Sequence, residues 1–95
     1  MKKYHVEITE EALQDMQDIY NYIAAELLAP DIAKEQYSRI AKGILKLDTF
    51  PQRFRIMNSD LERRMELRRL IVDNYSVFYT IRNEKVIVLN VLYSA

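Results

Sequence analysis

The spacing of apolar residues changes twice along the chain, and this change most constrains what the chain can fold into. Residues 4–8 alternate apolar and polar side chains, a period of two that predicts a half-exposed strand. Apolar residues then recur at spacings of three and four, which predicts one amphipathic helix over residues 10–28 and a second that Phe50-Pro51 closes. The buried stripe of the first helix should hold Leu13, Met16, Ile19, Tyr20, Ile23 and Leu27, and that of the second Ala33, Tyr37, Ile40, Ala41, Ile44 and Leu47. Three short apolar runs, at residues 64–72, 75–82 and 86–93, predict strands.

Short links between these elements determine how they pack. Ala29-Pro30 separates the two helices, because proline cannot continue a helix interior but suits the first turn of the next helix. Asp73-Asn74 and Asn83-Glu84 fall where tight turns belong, so the strands that they join should pair antiparallel. The predicted fold class is α+β, in the order β-α-α-β-β-β, with an antiparallel helical hairpin packed on a small, mainly antiparallel four-stranded sheet. The strongly apolar last two strands should form the sheet interior, and residues 1–95 should make a single domain.

Composition excludes several kinds of site. The chain has no cysteine, which excludes a disulfide framework and a thiolate metal site. Its one histidine, His5, lies on the predicted outer side of the first strand, where a structural role is favoured over catalysis. Its one glycine, Gly43, cannot form a phosphate-binding loop and instead predicts a close approach of another backbone to the second helix. We therefore expect no cofactor and no metal.

Hydropathy and net charge limit the classes of partner that the chain is expected to bind. No apolar run approaches the roughly 20 residues that a membrane span needs, and the first residues enter a strand without a signal segment, so we expect a cytoplasmic protein that does not bind membranes. The net charge is zero, unlike that of most proteins that bind long nucleic acid by backbone charge. Residues 1–50 hold nine acids and six bases, whereas residues 51–95 hold five acids and eight bases, so a basic patch is expected in the second half.

A cluster of arginines is the one anomaly in composition. Six of them lie within residues 53–69: Arg53, Arg55, Arg63, Arg64, Arg68 and Arg69. If residues 64–72 are a strand, Arg64 and Arg68 share one face and Arg69 points to the other. The cluster could be a solvated surface with ion pairs to nearby acids, a binding surface for an acidic partner, or a source of charge for phosphodiester cleavage.

The tyrosines are numerous, and most fit core or core-edge positions. Tyr93 ends the last predicted strand, and a tyrosine at a strand end beside arginines could take part in proton transfer. Core packing remains the favoured interpretation of Tyr93.

Three segments together resemble the RelE/ParE superfamily of toxins from bacterial type II toxin–antitoxin systems. They are the helix pair around Tyr20-Asn21-Tyr22-Ile23-Ala24 and Glu26-Leu27-Leu28-Ala29-Pro30, the stretch from Leu47 to Arg55, and the stretch from Leu67 to Tyr79 with Val91-Leu92-Tyr93. The pattern Leu-Arg-Arg-x-x-Val-x-Asn-Tyr-x-Val-Phe-Tyr, over residues 67–79, is the most specific of the three. The resemblance covers nearly the whole chain.

The resemblance implies one of two actions and a set of site residues. RelE-like members cut messenger RNA on the ribosome with basic residues, whereas ParE-like members inhibit DNA gyrase. Arg69 matches a basic strand position of the RNA-cleaving kind, but Ser76 and Leu67 stand where that kind carries arginine and often lysine. The family also usually continues, beyond the position of Ala95, with a charged tail motif and a short helix, without which sheet surface should be exposed.

Three hypotheses follow for function. The chain acts on a protein target such as DNA gyrase, or is a metal-independent, ribosome-dependent endoribonuclease, or only binds an antitoxin. The candidate catalytic residues are Arg69, Arg68, Arg64, Arg82 and Tyr93, and the candidate binding residues are Arg53, Arg55, Arg63, Arg64 and Arg68. In all three cases the resemblance implies a cognate antitoxin, whose acidic, partly disordered segment should lie against the helical hairpin and the arginine-bearing strand. The sequence assigns no homo-oligomeric state.

Overall fold

A computed structural model describes residues 2–94, so the expectation about a tail beyond Ala95 lies outside the described residues. The strands are β1 (His5–Ile8), β2 (Arg68–Val72), β3 (Tyr75–Arg82) and β4 (Lys85–Tyr93). The α-helices are α1 (Glu10–Asn21), α2 (Pro30–Leu45) and α3 (Asp60–Arg64). A π-helical turn (Tyr22–Glu26) follows α1, and two 3₁₀ turns (Lys46–Asp48 and Pro51–Arg53) follow α2.

The four strands form one sheet in the order β1-β4-β3-β2. β1 pairs with β4 in parallel, and the other two pairs are antiparallel. The predicted α+β class, the mainly antiparallel sheet and the central position of the last two strands are therefore confirmed. Both predicted turns are present, and Asp73 and Asn83 have φ angles of 55° and 58°, a left-handed conformation that these two residue types tolerate well.

The helices cover one face of the sheet, and the core lies between them. Buried side chains from both layers form it: Ala12, Met16, Ile40, Ile44, Leu47, Leu70, Val77, Tyr79, Val86, Val88 and Val91. The β3–β4 register shifts between Phe78 and Tyr79, and this bulge lets Val88 and Val91 both be buried although they are three residues apart. Asp15 of α1 accepts a hydrogen bond from the backbone N–H of Val91 at 2.9 Å, beyond the point where β1 pairs with β4.

The first helix is shorter than the pattern predicts. The α-helical hydrogen bonding ends near Asn21, where the N–H of Leu27 bonds to the carbonyl of Tyr22 in a π-type, five-residue step. A π-type step adds residues to the turn and rotates the following side chains about the helix axis. Leu27, which was expected on the buried stripe, is therefore 56% exposed. Leu13, expected on the same stripe, is also largely exposed, because Ala12 and Met16 face the core instead.

The region before β2 also differs from the prediction. β2 begins at Arg68, and Arg64 lies in α3, so the expectation that these two arginines share a strand face is wrong. Ser59 and Glu62 form a reciprocal capping box that stabilises the start of α3. No residue of α3 is buried, so this helix does not contribute to the core. The close approach expected at Gly43 is to side chains, since a methyl group added there would lie 3.0 Å from Val72 Cγ2.

Candidate functional site

The face of the sheet opposite the helices carries exposed apolar and cationic side chains. Arg69 of β2 pairs with Phe78 of β3, and Ile71 pairs with Ser76, which pairs in turn with Leu92 of β4. Alternation along β2 places Arg69 and Ile71 opposite Leu70, which is buried under the helices. Ile71 is 57% exposed and Leu92 is 49% exposed. We call this side the outer face.

A concave site of about 600 Å³ lies where the outer face meets the edge of β2. Residues 53–59 form one wall, and Glu62, Arg69 and Ile71 complete the lining. We call this site the outer cleft. Its lining combines three arginines with apolar side chains, which suits a partner that presents both acidic and apolar groups.

Hydrogen bonds from the sheet fix the wall of the outer cleft. The hydroxyl of Tyr79 donates to the carbonyl of Pro51 at 2.7 Å, and Arg68 donates to the carbonyls of Phe54 at 2.5 Å and Gln52 at 3.3 Å. Tyr79 is fully buried, and burial raises its pKa from 10.0 to about 12, although Arg68 and Arg53 act in the opposite direction. Tyr79 is therefore a neutral donor at neutral pH, suited to holding a carbonyl.

A second set of bonds holds the segment between α3 and β2. Thr80 donates from its hydroxyl to the carbonyl of Met65 at 3.2 Å. Arg82 donates to the same carbonyl at 3.1 Å and to the hydroxyl of Thr80 at 2.8 Å, and it contacts the carboxylate of Glu66 at 3.3 Å. Glu66 has a φ of 53°, so the chain reverses here in a conformation that these contacts stabilise.

The structure divides the predicted arginine set into two groups. Arg68 and Arg82 donate to backbone carbonyls, as does Arg53, which bonds to the carbonyls of Thr49 at 2.7 Å and Phe50 at 3.0 Å. Arg55 and Arg69 line the outer cleft, and within residues 2–94 neither forms an ion pair or a side-chain hydrogen bond. Arg63 and Arg64 are exposed on α3 and do not line the cleft.

Tyr93 lies on the other side of the sheet from Arg69. Its ring packs edge-on against Tyr75 at 5.6 Å between centroids, and both line an apolar groove of about 610 Å³ with Ile19 and Tyr22 of the helical layer. Burial is the main reason that the pKa of Tyr75 is raised above 10.0. The structure therefore does not bring Tyr93 together with the arginines.

His5 is also distant from the outer cleft. It lies on β1, the opposite edge strand from β2, so three strand spacings of about 4.8 Å each, or roughly 14 Å, separate the two strands. Its imidazole is exposed, 3.9 Å from the carboxylate of Glu7. Among residues 2–94 no group of three or more histidine, aspartate or glutamate side chains could hold a metal ion, and no helix there could span a membrane.

Sequence reasoning missed the apolar part of the site. The arginines drew attention to residues 53–69, but the cleft also depends on Ile71 and on the path of residues 56–59 along the edge of β2. The sequence of β2 carried a signal for this apolar surface, because Ile71 is a large apolar residue on the side of the strand opposite Leu70. An exposed isoleucine at such a position indicates a contact surface when other apolar residues adjoin it.

Comparisons with known proteins give one family model and two solved structures of similar fold. A family model described as the ParE toxin of the type II toxin–antitoxin system parDE matches residues 6–95. The fold is similar to a chain of the chromosomal ParDE toxin–antitoxin system from P. aeruginosa, with a TM-score of 0.82, 15% identity and 98% of each chain covered. It is also similar to a chain of the RelBE2 toxin–antitoxin complex from Mycobacterium tuberculosis, with a TM-score of 0.68, 20% identity, and coverage of 98% of this chain and 93% of that chain. A search of curated protein sequences gave no match.

Proposed function

Because this chain belongs to the ParE toxin family of type II toxin–antitoxin systems, we propose that it inhibits growth by binding a protein target such as DNA gyrase, not by cutting RNA. The outer cleft is the surface that we assign to this function. The observation that carries the proposal is the placement of Tyr93 and His5 away from Arg55 and Arg69. The buried hydroxyl of Tyr79, near Arg53, is engaged with the carbonyl of Pro51.

Cleavage of RNA needs more than positive charge. A base or an orienting group must act on the 2′-hydroxyl, and a proton must reach the leaving oxygen. In the described part of the cleft, Arg55 and Arg69 supply charge, whereas Tyr93 lies on the opposite face and His5 lies three strands away. The carboxylate of Glu62 also lines the cleft, but it accepts the N–H of Ser59 in the capping box at 3.2 Å.

Two further positions weigh against cleavage. Ser76 and Leu67 stand where the resemblance implies basic residues in RNA-cleaving relatives. Ser76 is buried and its hydroxyl shares a hydrogen bond of 2.7 Å with that of Ser94. Leu67 is half-buried, and its carbonyl accepts the N–H of Met57 at 2.8 Å. Neither side chain places a charge where a phosphate could bind.

The same surface supports a cognate antitoxin as the second partner. Both similar structures are described as toxin–antitoxin systems or complexes, and we carry that partnership over to this chain. Arg55 and Arg69 face the cleft without an acidic partner among the described residues. Carboxylates of an acidic antitoxin segment would therefore pair with these two positive charges. An antitoxin bound in the cleft would also block the target.

Induced expression in bacteria tests the proposal, with 5′-end mapping of cellular messenger RNA in the same cells. We expect growth arrest without translation-dependent cuts, and relief of the arrest when the protein encoded beside the toxin gene is co-expressed. Arg69→Ala should weaken the arrest, and Arg64→Ala, which removes an equal charge from α3 outside the cleft, should not. Codon-phased cuts that require translation would contradict the protein-target assignment. Absence of any arrest by the wild-type chain would leave only antitoxin binding.

A further inference from the structure

We infer that the groove of about 610 Å³ between the helical layer and the paired Tyr75 and Tyr93 is a cation-recognition site, which takes an arginine side chain flanked by apolar residues on a protein partner. We call this site the tyrosine groove. It lies on the opposite side of the sheet from the outer cleft, so the inference goes beyond the proposed function and does not rest on it.

Three tyrosine rings line the tyrosine groove. Tyr75 of β3 and Tyr93 of β4 are directly paired across the two strands, and their rings meet edge-on at 5.6 Å between centroids. In such a pair each ring keeps at least one face that the other ring does not cover, and the face carries the negative part of the ring quadrupole. Tyr22 supplies the third ring from the helical side, where it is exposed. Faces of this kind attract a guanidinium or ammonium group.

The charges around the tyrosine groove favour a cation. Asp18 is the one carboxylate among the lining residues, and none of them is a lysine, arginine or histidine. Its Oδ1 accepts a hydrogen bond from the amide of Gln14 at 2.8 Å, and within residues 2–94 its carboxylate forms no ion pair. Burial raises the pKa of Tyr75, neighbouring phenols and Asp73 raise it further, and no cationic side chain in the described part of the chain acts against them.

The π-helical turn places apolar side chains in the same groove. The N–H of Leu27 bonds to the carbonyl of Tyr22, and this five-residue step rotates Leu27 out of the buried stripe and onto the wall of the tyrosine groove. The buried side chain of Ile23 lines the groove as well. The residues that flank an arginine in a protein segment can cover these apolar side chains, whereas a small free cation would leave them in contact with water. The groove therefore favours a protein partner over a small ammonium compound.

Arginine suits this combination of groups better than lysine. Its guanidinium is planar, so it can stack on the ring of Tyr75 or Tyr93 while its edge donates to the carboxylate of Asp18. It is also more weakly hydrated than an ammonium group, so it loses less hydration when it approaches half-buried rings.

Titration of the purified toxin with the peptide acetyl-Leu-Arg-Leu-amide, followed by NMR, tests the site. The ring protons of Tyr22, Tyr75 and Tyr93 should shift together, and ring currents should move the δ-methylene protons of the peptide arginine upfield. The same peptide with citrulline, which keeps the shape without the charge, should bind at least about 10-fold more weakly. Acetyl-arginine amide should also bind at least about 10-fold more weakly than the peptide, because it lacks the apolar flanks.

Two pairs of variants separate the contribution of the rings from that of the charge. Tyr93→Leu should weaken binding of the arginine peptide by about 5-fold or more, whereas Tyr93→Phe, which keeps the ring, should leave the Kd within about 2-fold. Asp18→Asn should weaken binding by about 3-fold to 5-fold. Glu26→Gln, which removes an equal charge from the π-helical turn outside the groove, should change the Kd by less than about 1.5-fold. Tyr93, Asp18 and Glu26 are exposed, so these variants should remain folded.

Four results would overturn the inference. Equal binding of the arginine and citrulline peptides would mean that the groove takes apolar side chains without recognising a cation. Binding of acetyl-arginine amide as tight as that of the peptide would assign the groove to a small cation. Shifts of the three tyrosines with toxin concentration alone, abolished by Tyr93→Leu, would make a second copy of the chain the occupant. No response of these tyrosines to the peptide would leave the groove without a cationic ligand. Each of these results leaves the outer cleft untouched, so growth arrest and its loss in Arg69→Ala would still decide the proposed function.

Discussion

Removal of the Tyr79 hydroxyl should destabilise the protein by a predictable amount. The hydroxyl is the donor to the Pro51 carbonyl at 2.7 Å, and both residues are buried. Tyr79→Phe keeps the ring and creates almost no cavity, so the cost is that of a buried acceptor left without its donor, about 1–2 kcal/mol. For a domain of this size that corresponds to a fall in Tm of about 4–15 °C.

The size of this effect should depend on pH in a definite direction. Because the pKa of Tyr79 rises from 10.0 to about 12 in the folded chain, its neutral form is the one that the fold favours. The contribution is complete below pH 10 and is lost as pH rises through 12, since the unfolded chain then ionises first. Urea unfolding should therefore show a larger difference between wild type and Tyr79→Phe at pH 7 than at pH 11.

Tyr22→Phe is the matched control for the loss of a hydroxyl. Tyr22 is 58% exposed, and its hydroxyl has no hydrogen bond to another described residue. Its removal should change the free energy of unfolding by less than about 0.5 kcal/mol. If Tyr79→Phe were as mild as this control at pH 7, the Tyr79–Pro51 bond would not hold the cleft wall. If its effect were the same at pH 11, burial would not raise the pKa of Tyr79.

Three further perturbations test the contacts that position the site. Thr9→Ala removes the N-cap of α1, whose side-chain oxygen accepts a backbone N–H at 3.1 Å, and should cost about 0.5–2 kcal/mol by urea unfolding. Asp15→Ala leaves the N–H that follows the β4 bulge without its acceptor and should cost about 1–3 kcal/mol in the same assay. The amide of Gln36 and then the guanidinium of Arg39 lower the pKa of Asp73 below 3.8, so this contribution is present above that pH and is lost as pH falls. The Tm difference between wild type and Arg39→Ala should therefore be measurable at neutral pH and low salt, and should shrink at pH 3 or in 1 M salt.

The sequence predicted the fold well where the conformational preference of a residue, or its place in an apolar stripe, matches its position in the structure. Asp73 and Asn83 suit the left-handed turns that they occupy, and the stripe with Ala33, Ile40 and Ile44 is buried as its spacing required. The π-helical turn was not predictable, because it depends on displaced backbone hydrogen bonds, from Leu27 to Tyr22 and from Ala29 to Ile23, and leaves the apolar spacing almost unchanged. The short α3 helix carries no apolar stripe, and its capping box was its main sequence signal.

The candidate site was predicted only in outline. Residue type showed that residues 53–69 are rich in arginine, but it could not show that Arg68 and Arg82 bind carbonyls while Arg55 and Arg69 face the cleft. That division depends on where the chain folds back, which is set by Tyr79 and the β2 register. The alternation of side chains along the strands likewise places Tyr93 on the opposite face of the sheet from Arg69. This alternation could not be assigned from sequence, because it depends on where β2 begins and on the bulge between β3 and β4.

Two parallel reactions with the purified chain distinguish inhibition of a protein target from cleavage of RNA. One reaction measures supercoiling by DNA gyrase, and the other measures cleavage of a messenger RNA on translating ribosomes. We predict that supercoiling is inhibited while the messenger RNA stays intact, and that Arg69→Ala relieves the inhibition. Unaffected gyrase together with ribosome-dependent cuts that Arg69→Ala abolishes would show instead that the chain is a ribosome-dependent nuclease.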